Sequence, residues 1–165
     1  MKKLLLAIMI ALPMSAFAQK FAHINSSAVM QAMPETSALQ TEIQNLQKTY
    51  EDELKRMQDE IKTKTDEYEK KGATLPDAVK KRQEQEIQDL IQRYQEFGQT
   101  SEQELQKTYQ TKMAPIQEKV IKAIKEVGDA GDYVYVMDMA AGIPYINDKF
   151  STDITNQVKA KLGIK

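Results

Sequence analysis

Between residues 35 and 112 the apolar positions form a thin line. Leu39, Ile43, Leu46, Tyr50, Leu54, Met57 and Ile61 follow one another at steps of 4, 3, 4, 4, 3 and 4. Steps of three and four place successive side chains on one face of an α-helix. The mean step, about 3.67, is that of an eleven-residue repeat, so the stripe runs straight or slightly right-handed. Tyr68 continues it two turns on. Pro34 and Glu35 open this helix, proline by fitting the first turn and glutamate by favouring the positive end of the dipole. Lys70 and Lys71 in the last turn, with Gly72 just beyond, close it.

A second helix starts at Leu75-Pro76-Asp77 and carries its own apolar line from Val79 through Leu90, Tyr94, Phe97, Leu105, Met113 and Ile116 to Val127. Gly98 costs it about 1 kcal/mol relative to alanine without stopping it. Pro115 removes one backbone hydrogen bond and predicts a kink. Gly128 and Gly131 predict its end. The connection at 72–76 is short enough to demand an antiparallel hairpin. A lone two-helix arm with one narrow stripe is marginal unless its base is anchored.

The two ends of the chain follow another rhythm. Residues 21–25 read as a short strand, and Ser26-Ser27 as the cap of a short helix over 28–33. A Gly-Asp-Ala-Gly-Asp turn leads into a β-rich strand over 133–137. Residues 142–147 predict a further short strand, with Pro144 tolerable at an edge, and Ser151 or Thr152 caps a last helix through Leu162. Three short strands cannot hide their own edges, so pairing between subunits, an obligate homo-oligomer, is expected.

Composition sharpens this division. Residues 19–34 and 113–165 hold 34 apolar residues among 69, whereas residues 35–112 hold 20 among 78, with 30 charged. A quarter apolar is too little for a globular core. The expected fold class is α+β, mostly α, with a long antiparallel helical hairpin projecting from a small β-strand body. The body comprises 19–34 and 113–165, and the arm 35–112 with its tip near 70–77.

Residues 1–18 read as an address rather than as structure. Lys2 and Lys3 precede an apolar run over 4–12, Pro13 breaks it, and Ala16-Phe17-Ala18 is a small-x-small site, predicting cleavage between Ala18 and Gln19. Nine residues reach only ~14 Å, against a hydrocarbon core of ~30 Å. The expected location is the periplasm, after export across the inner membrane.

Chemistry is sparse. The 165 residues include no cysteine and one histidine, which removes disulfides, thiolate metal sites and a three-histidine zinc site. No phosphate-binding loop, nucleophile elbow or zinc-protease motif is present. His23 sits between apolar neighbours and reads as structural, and Asp138 has no second acid placed beside it by sequence. No enzyme, metal or cofactor is expected. A formal net charge of −1 argues against a nucleic-acid partner.

One charge pattern stands out. Residues 62–82 carry Lys62, Lys64, Lys70, Lys71, Lys80, Lys81 and Arg82 against four carboxylates, a net of +3, while 35–61 are −4 and 83–112 are −3. A solvated helix end explains such a tip, and so does steering of acidic partners or contact with an anionic membrane surface.

Three stretches together resemble the Skp/OmpH family of periplasmic chaperones. They are Phe21-Ala22-His23-Ile24-Asn25 with Val29-Met30-Gln31 and Pro34-Glu35; Pro115-Ile116-Gln117-Glu118-Lys119-Val120 with Ala123-Ile124-Lys125-Glu126-Val127; and Tyr133-Val134-Tyr135-Val136-Met137-Asp138 with Asp153-Ile154-Thr155. The resemblance implies a homotrimer whose body is completed by trimerisation, with three arms around a cavity that holds unfolded outer-membrane β-barrel proteins without ATP. Client contact then falls to apolar arm positions left over from the helix seam: Tyr50, Met57, Tyr68, Tyr94 and Phe97. The competing reading is an exported structural or adaptor coiled coil that binds a folded envelope partner. A peripheral lipid binder fits less well, since the stripe is narrow and the shafts acidic.

Overall fold

The structure is a computed structural model that describes residues 19–164. The leader expected over 1–18, with Ala18 of its cleavage site, lies outside the described residues; Gln19 is the first of them. In chain order the elements are β1 (Lys20–Ile24), α1 (Ser26–Ala32), α2 (Pro34–Lys71), α3 (Asp77–Ala130), β2 (Tyr133–Asp138), β3 (Ser151–Asp153) and α4 (Thr155–Lys161). Short 3₁₀ turns at Gly72–Thr74 and Met139–Ala141 complete the chain. It divides into two compact units, residues 19–29 with 120–164, and residues 30–119.

The first unit is built on a three-stranded sheet in the order β2-β1-β3, all parallel. β1 pairs with β2 from Lys20↔Tyr133 to Ile24↔Asp138, with a register shift after Lys20, and with β3 from Phe21↔Ser151 to His23↔Asp153. As the central strand, β1 is buried on both faces, and consecutive Ala22, His23 and Ile24 are all covered. Val29, Val120, Ala123, Ile154 and Val158 complete this core. Phe21 and Tyr135 stack across the β1–β2 pair with ring centroids 4.9 Å apart.

The second unit contains α2 and most of α3. Met33 is the extended residue before α2, and Pro34 occupies its first turn, where a missing N–H costs nothing. Met33, Leu39, Leu90 and Ile116 are buried along the hairpin, and Ser101 is buried with its hydroxyl donating to the Phe97 carbonyl.

Several local expectations are corrected. The α1 cap is Asn25, whose Oδ1 accepts from Ala28 N at 2.9 Å, rather than Ser26 or Ser27. Gly72 stays right-handed (φ −57°, ψ −37°) and runs α2 into a 3₁₀ turn instead of reversing it in the left-handed region. α3 continues through Pro115 and through Gly128; the left-handed residue after it is Asp132 (φ 56°), not Gly131. Residues 142–147 form no strand. The third strand is Ser151–Asp153, where a helix cap was expected. Asn147 accounts for the difference: its carbonyl accepts from Phe150 N and Ser151 N, both at 3.0 Å, and turns the chain into register with β1.

Candidate functional site

Three of the aromatic positions singled out along the arm, Tyr50, Tyr68 and Phe97, make contacts between α2 and α3. Tyr50 on α2 and Phe97 on α3 pack edge to face, with centroids 5.9 Å apart and planes at 83°. Such a pair contributes about 0.5–1.5 kcal/mol beyond the area it buries. Burial, with Glu104 beside it, raises the Tyr50 phenol above its ordinary value. The Tyr68 hydroxyl donates to Glu84 across the hairpin, and its ring lies over Gly72, where an added Cβ would come within 3.3 Å of it. Met57 and Tyr94 are half-buried. The structure thus brings Tyr50 and Phe97 together and joins Tyr68 to Glu84. All five side chains remain partly open to solvent.

Ion pairs cross the hairpin at both ends. Lys64 bonds Glu86 at 2.7 Å, Lys119 bonds Glu35 at 2.8 Å, and Lys112 bonds Glu42. The hydrogen bond from Lys119 holds the Glu35 carboxyl below its usual range, as that from Lys64 does for Glu86. These side chains are largely exposed, so the pairs set register more than they add stability.

The tip cations divide by partner. Lys62 is held by Asp66 at 2.8 Å, and Lys64 by Glu86. Lys70 and Lys71 are exposed in the last turn of α2, Lys80 is half-buried, and Lys81 and Arg82 are exposed in the first turns of α3. Lys81 and Arg82 line an open groove of about 640 Å³ with Arg93, Glu86 and Asp89. Arg93 belongs to this group although it lies beyond the cationic run; the helical spacing 82, 86, 89, 93 is the signal that places it there.

A second feature, missed in the sequence, lies in the sheet unit. Val134, Tyr135, Met137, Met139, Tyr145 and Phe150 are all substantially exposed, and the last two reach 75%. Five of these positions lie on or beside strands, where alternation alone predicts one exposed face and not a whole exposed rim. β2 and β3 are the outer strands of this sheet, so each has one edge unpaired within it.

Asp138 and His23 both have defined roles in the same unit. Asp138 accepts from Ser26 Oγ at 2.5 Å, Ser26 N at 3.2 Å and Ala140 N at 3.0 Å. Burial works against its charge, but these bonds outweigh it and hold the carboxyl below the ordinary aspartate range. His23 Nδ1 lies 2.9 Å from Ser151 Oγ. Among the described residues no group of three His, Cys, Asp or Glu side chains is placed to hold a metal ion, and no helix is long and apolar enough to cross a membrane.

Comparison with known proteins adds two findings. A family model described as Outer membrane protein (OmpH-like) matches residues 20–162. The fold is similar to that of a candidate outer membrane chaperone (OmpH-like) from Caulobacter crescentus CB15, with a TM-score of 0.77 and 18% identity. The likeness covers 87% of this chain and 83% of that one. No curated protein matches the chain.

Proposed function

The chain belongs to the OmpH-like outer membrane protein family, and from that premise we propose that it is an ATP-independent holdase chaperone of the periplasm. Its clients are unfolded outer-membrane β-barrel proteins, which expose alternating apolar strands and aggregate unless covered. The observation that carries this reading is the half-open stripe of the hairpin. Tyr50, Met57, Tyr68, Tyr94 and Phe97 are covered enough to be held in place and open enough to touch a second chain. Sparse apolar contacts of this kind are individually weak, tolerate many sequences and order the client little, and Met57 adds an adaptable surface. The similar fold of the Caulobacter crescentus CB15 protein, itself named as a candidate outer membrane chaperone, supports the same role.

Assembly belongs to the proposal. The apolar rim from Val134 to Phe150 and the outer edges of the three-stranded sheet favour self-association, here as a homotrimer, with avidity supplied by three arms. The groove of Lys81, Arg82 and Arg93 offers an anionic membrane surface a contact near the tips.

Native mass spectrometry of residues 19–165, alone and after dilution of a urea-unfolded outer-membrane barrel protein into it, tests the reading. The expected result is a trimer that captures an unfolded chain without nucleotide, with capture weakened by Phe97→Glu while the trimer persists. A trimer that ignores the unfolded chain and binds one folded envelope protein would replace the holdase with an adaptor. A monomer would overturn the assembly.

A further inference from the structure

The single imidazole of the chain is at the centre of the sheet, joined to a turn that carries one of the most exposed aromatic rings. The His23 side chain is 6% exposed. On one side Nδ1 lies 2.9 Å from Ser151 Oγ in β3. On the other, Nε2 lies 3.8 Å from Oδ1 of Asp148, whose own side chain is 89% exposed. Asp148 belongs to a tight turn: Asn147 Oδ1 accepts from Lys149 N at 3.0 Å, and the Asn147 carbonyl accepts from Phe150 N and Ser151 N. The imidazole therefore meets the turn at both ends of its last four residues, and the exposed Phe150 lies between Asp148 and Ser151 in the chain.

We propose that His23 and Asp148 form a pH-responsive latch, in which protonation of the imidazole fastens the turn 147–151, and the Phe150 ring with it, to the central strand. Neutral imidazole has one ring N–H to share between its two partners, whereas imidazolium donates from both nitrogens. The cation bonds Ser151 Oγ as acceptor and attracts the Asp148 carboxylate at the other nitrogen with a charge-assisted hydrogen bond. Imidazole is the one side chain whose ordinary charge change falls between pH 5 and 8.

Asp153, the register partner of His23 on β3, bonds Thr155 N at 2.8 Å and Thr155 Oγ1, and its carboxyl is stabilised in the charged form partly by His23. Across the sheet Asp138 is committed to Ser26 and Ala140. Lys20, at the far end of β1, bonds the Gly131 carbonyl and lies 4.0 Å from Asp132. Two carboxylates, Asp153 in β3 and Asp148 in the exposed turn, thus face the imidazole.

The test is an NMR titration of the His23 ring in the full-length mature protein from pH 4.5 to 8.5, followed together with the amides of residues 147–151. It is repeated in Asp148→Asn, an exposed site where substitution leaves the core intact. The expected result is that the turn amides respond together with the ring in the native protein and that this joint response is lost in Asp148→Asn. Turn amides that ignore the ring, or that respond equally in the two proteins, would overturn the latch. Asp153→Asn, examined in parallel, separates the two carboxylates: a joint response lost only in that variant assigns the partnership to β3 and removes the turn from it.

Discussion

Single carboxylates organise much of the sheet unit. Asp138 closes β2, receives Ser26 at the start of α1 and Ala140 in the following turn, and so joins three segments through one side chain. Removing its charge while keeping its shape, as in Asp138→Asn, is expected to lower stability by about 1 kcal/mol at pH 7. The sign of the pH dependence follows from the lowered carboxyl. Its contribution is fully present above the unfolded-state value of about 3.9 and is lost as the pH falls through the lower folded-state value. Urea midpoints of the two proteins should therefore differ at pH 7 and converge as the pH drops below about 4. Sequence alone gave Asp138 no partner because Ser26 is separated from it by the whole hairpin, and no local spacing encodes that contact.

At the scale of elements, the seam between α2 and α3 contains one avoidable weakness. Gly98 sits inside a helix with its backbone in helical conformation, and a Cβ added there meets Leu54 Cδ2 at 3.8 Å, an ordinary contact. Gly98→Ala is expected to stabilise the hairpin by about 0.5–1 kcal/mol, read as a higher melting temperature in circular dichroism at 222 nm. The long helices were legible because a step of three or four repeats many times over, and Leu39, Leu90 and Ile116 are buried where the stripe puts them. The short elements were not. Residues 142–147 have strand-like composition but take no ladder, while Ser151–Asp153, three polar residues with no alternation to read, become β3 because β1 offers them a free edge. Pairing across long sequence distances overrides local propensity there. The rim from Val134 to Phe150 was invisible for a related reason: composition counts apolar residues without saying which of them the fold leaves outside.

Taken whole, the molecule joins its beginning to its end. β1 is flanked by β2 and β3, both contributed by the last 33 residues, and the helical hairpin is threaded between them. Contacts that span such a separation are slow to form when the intervening chain is flexible, because loop-closure entropy must be met first. The hairpin shortens the search, since its final rung holds Glu35 and Lys119 2.8 Å apart. Pulse-labelled hydrogen exchange during refolding should therefore show amides of α2 and α3 protected before those of Ala22, His23 and Ile24. The opposite order would mean that the sheet nucleates independently of the hairpin. The same strand order has a consequence for biosynthesis. β1 is made first and gains β2, then β3, only after the whole hairpin has been made, so a chain cut short before β3 leaves one edge of the central strand open. Covering of β1 on both edges thereby distinguishes copies that contain β3 from copies truncated before it.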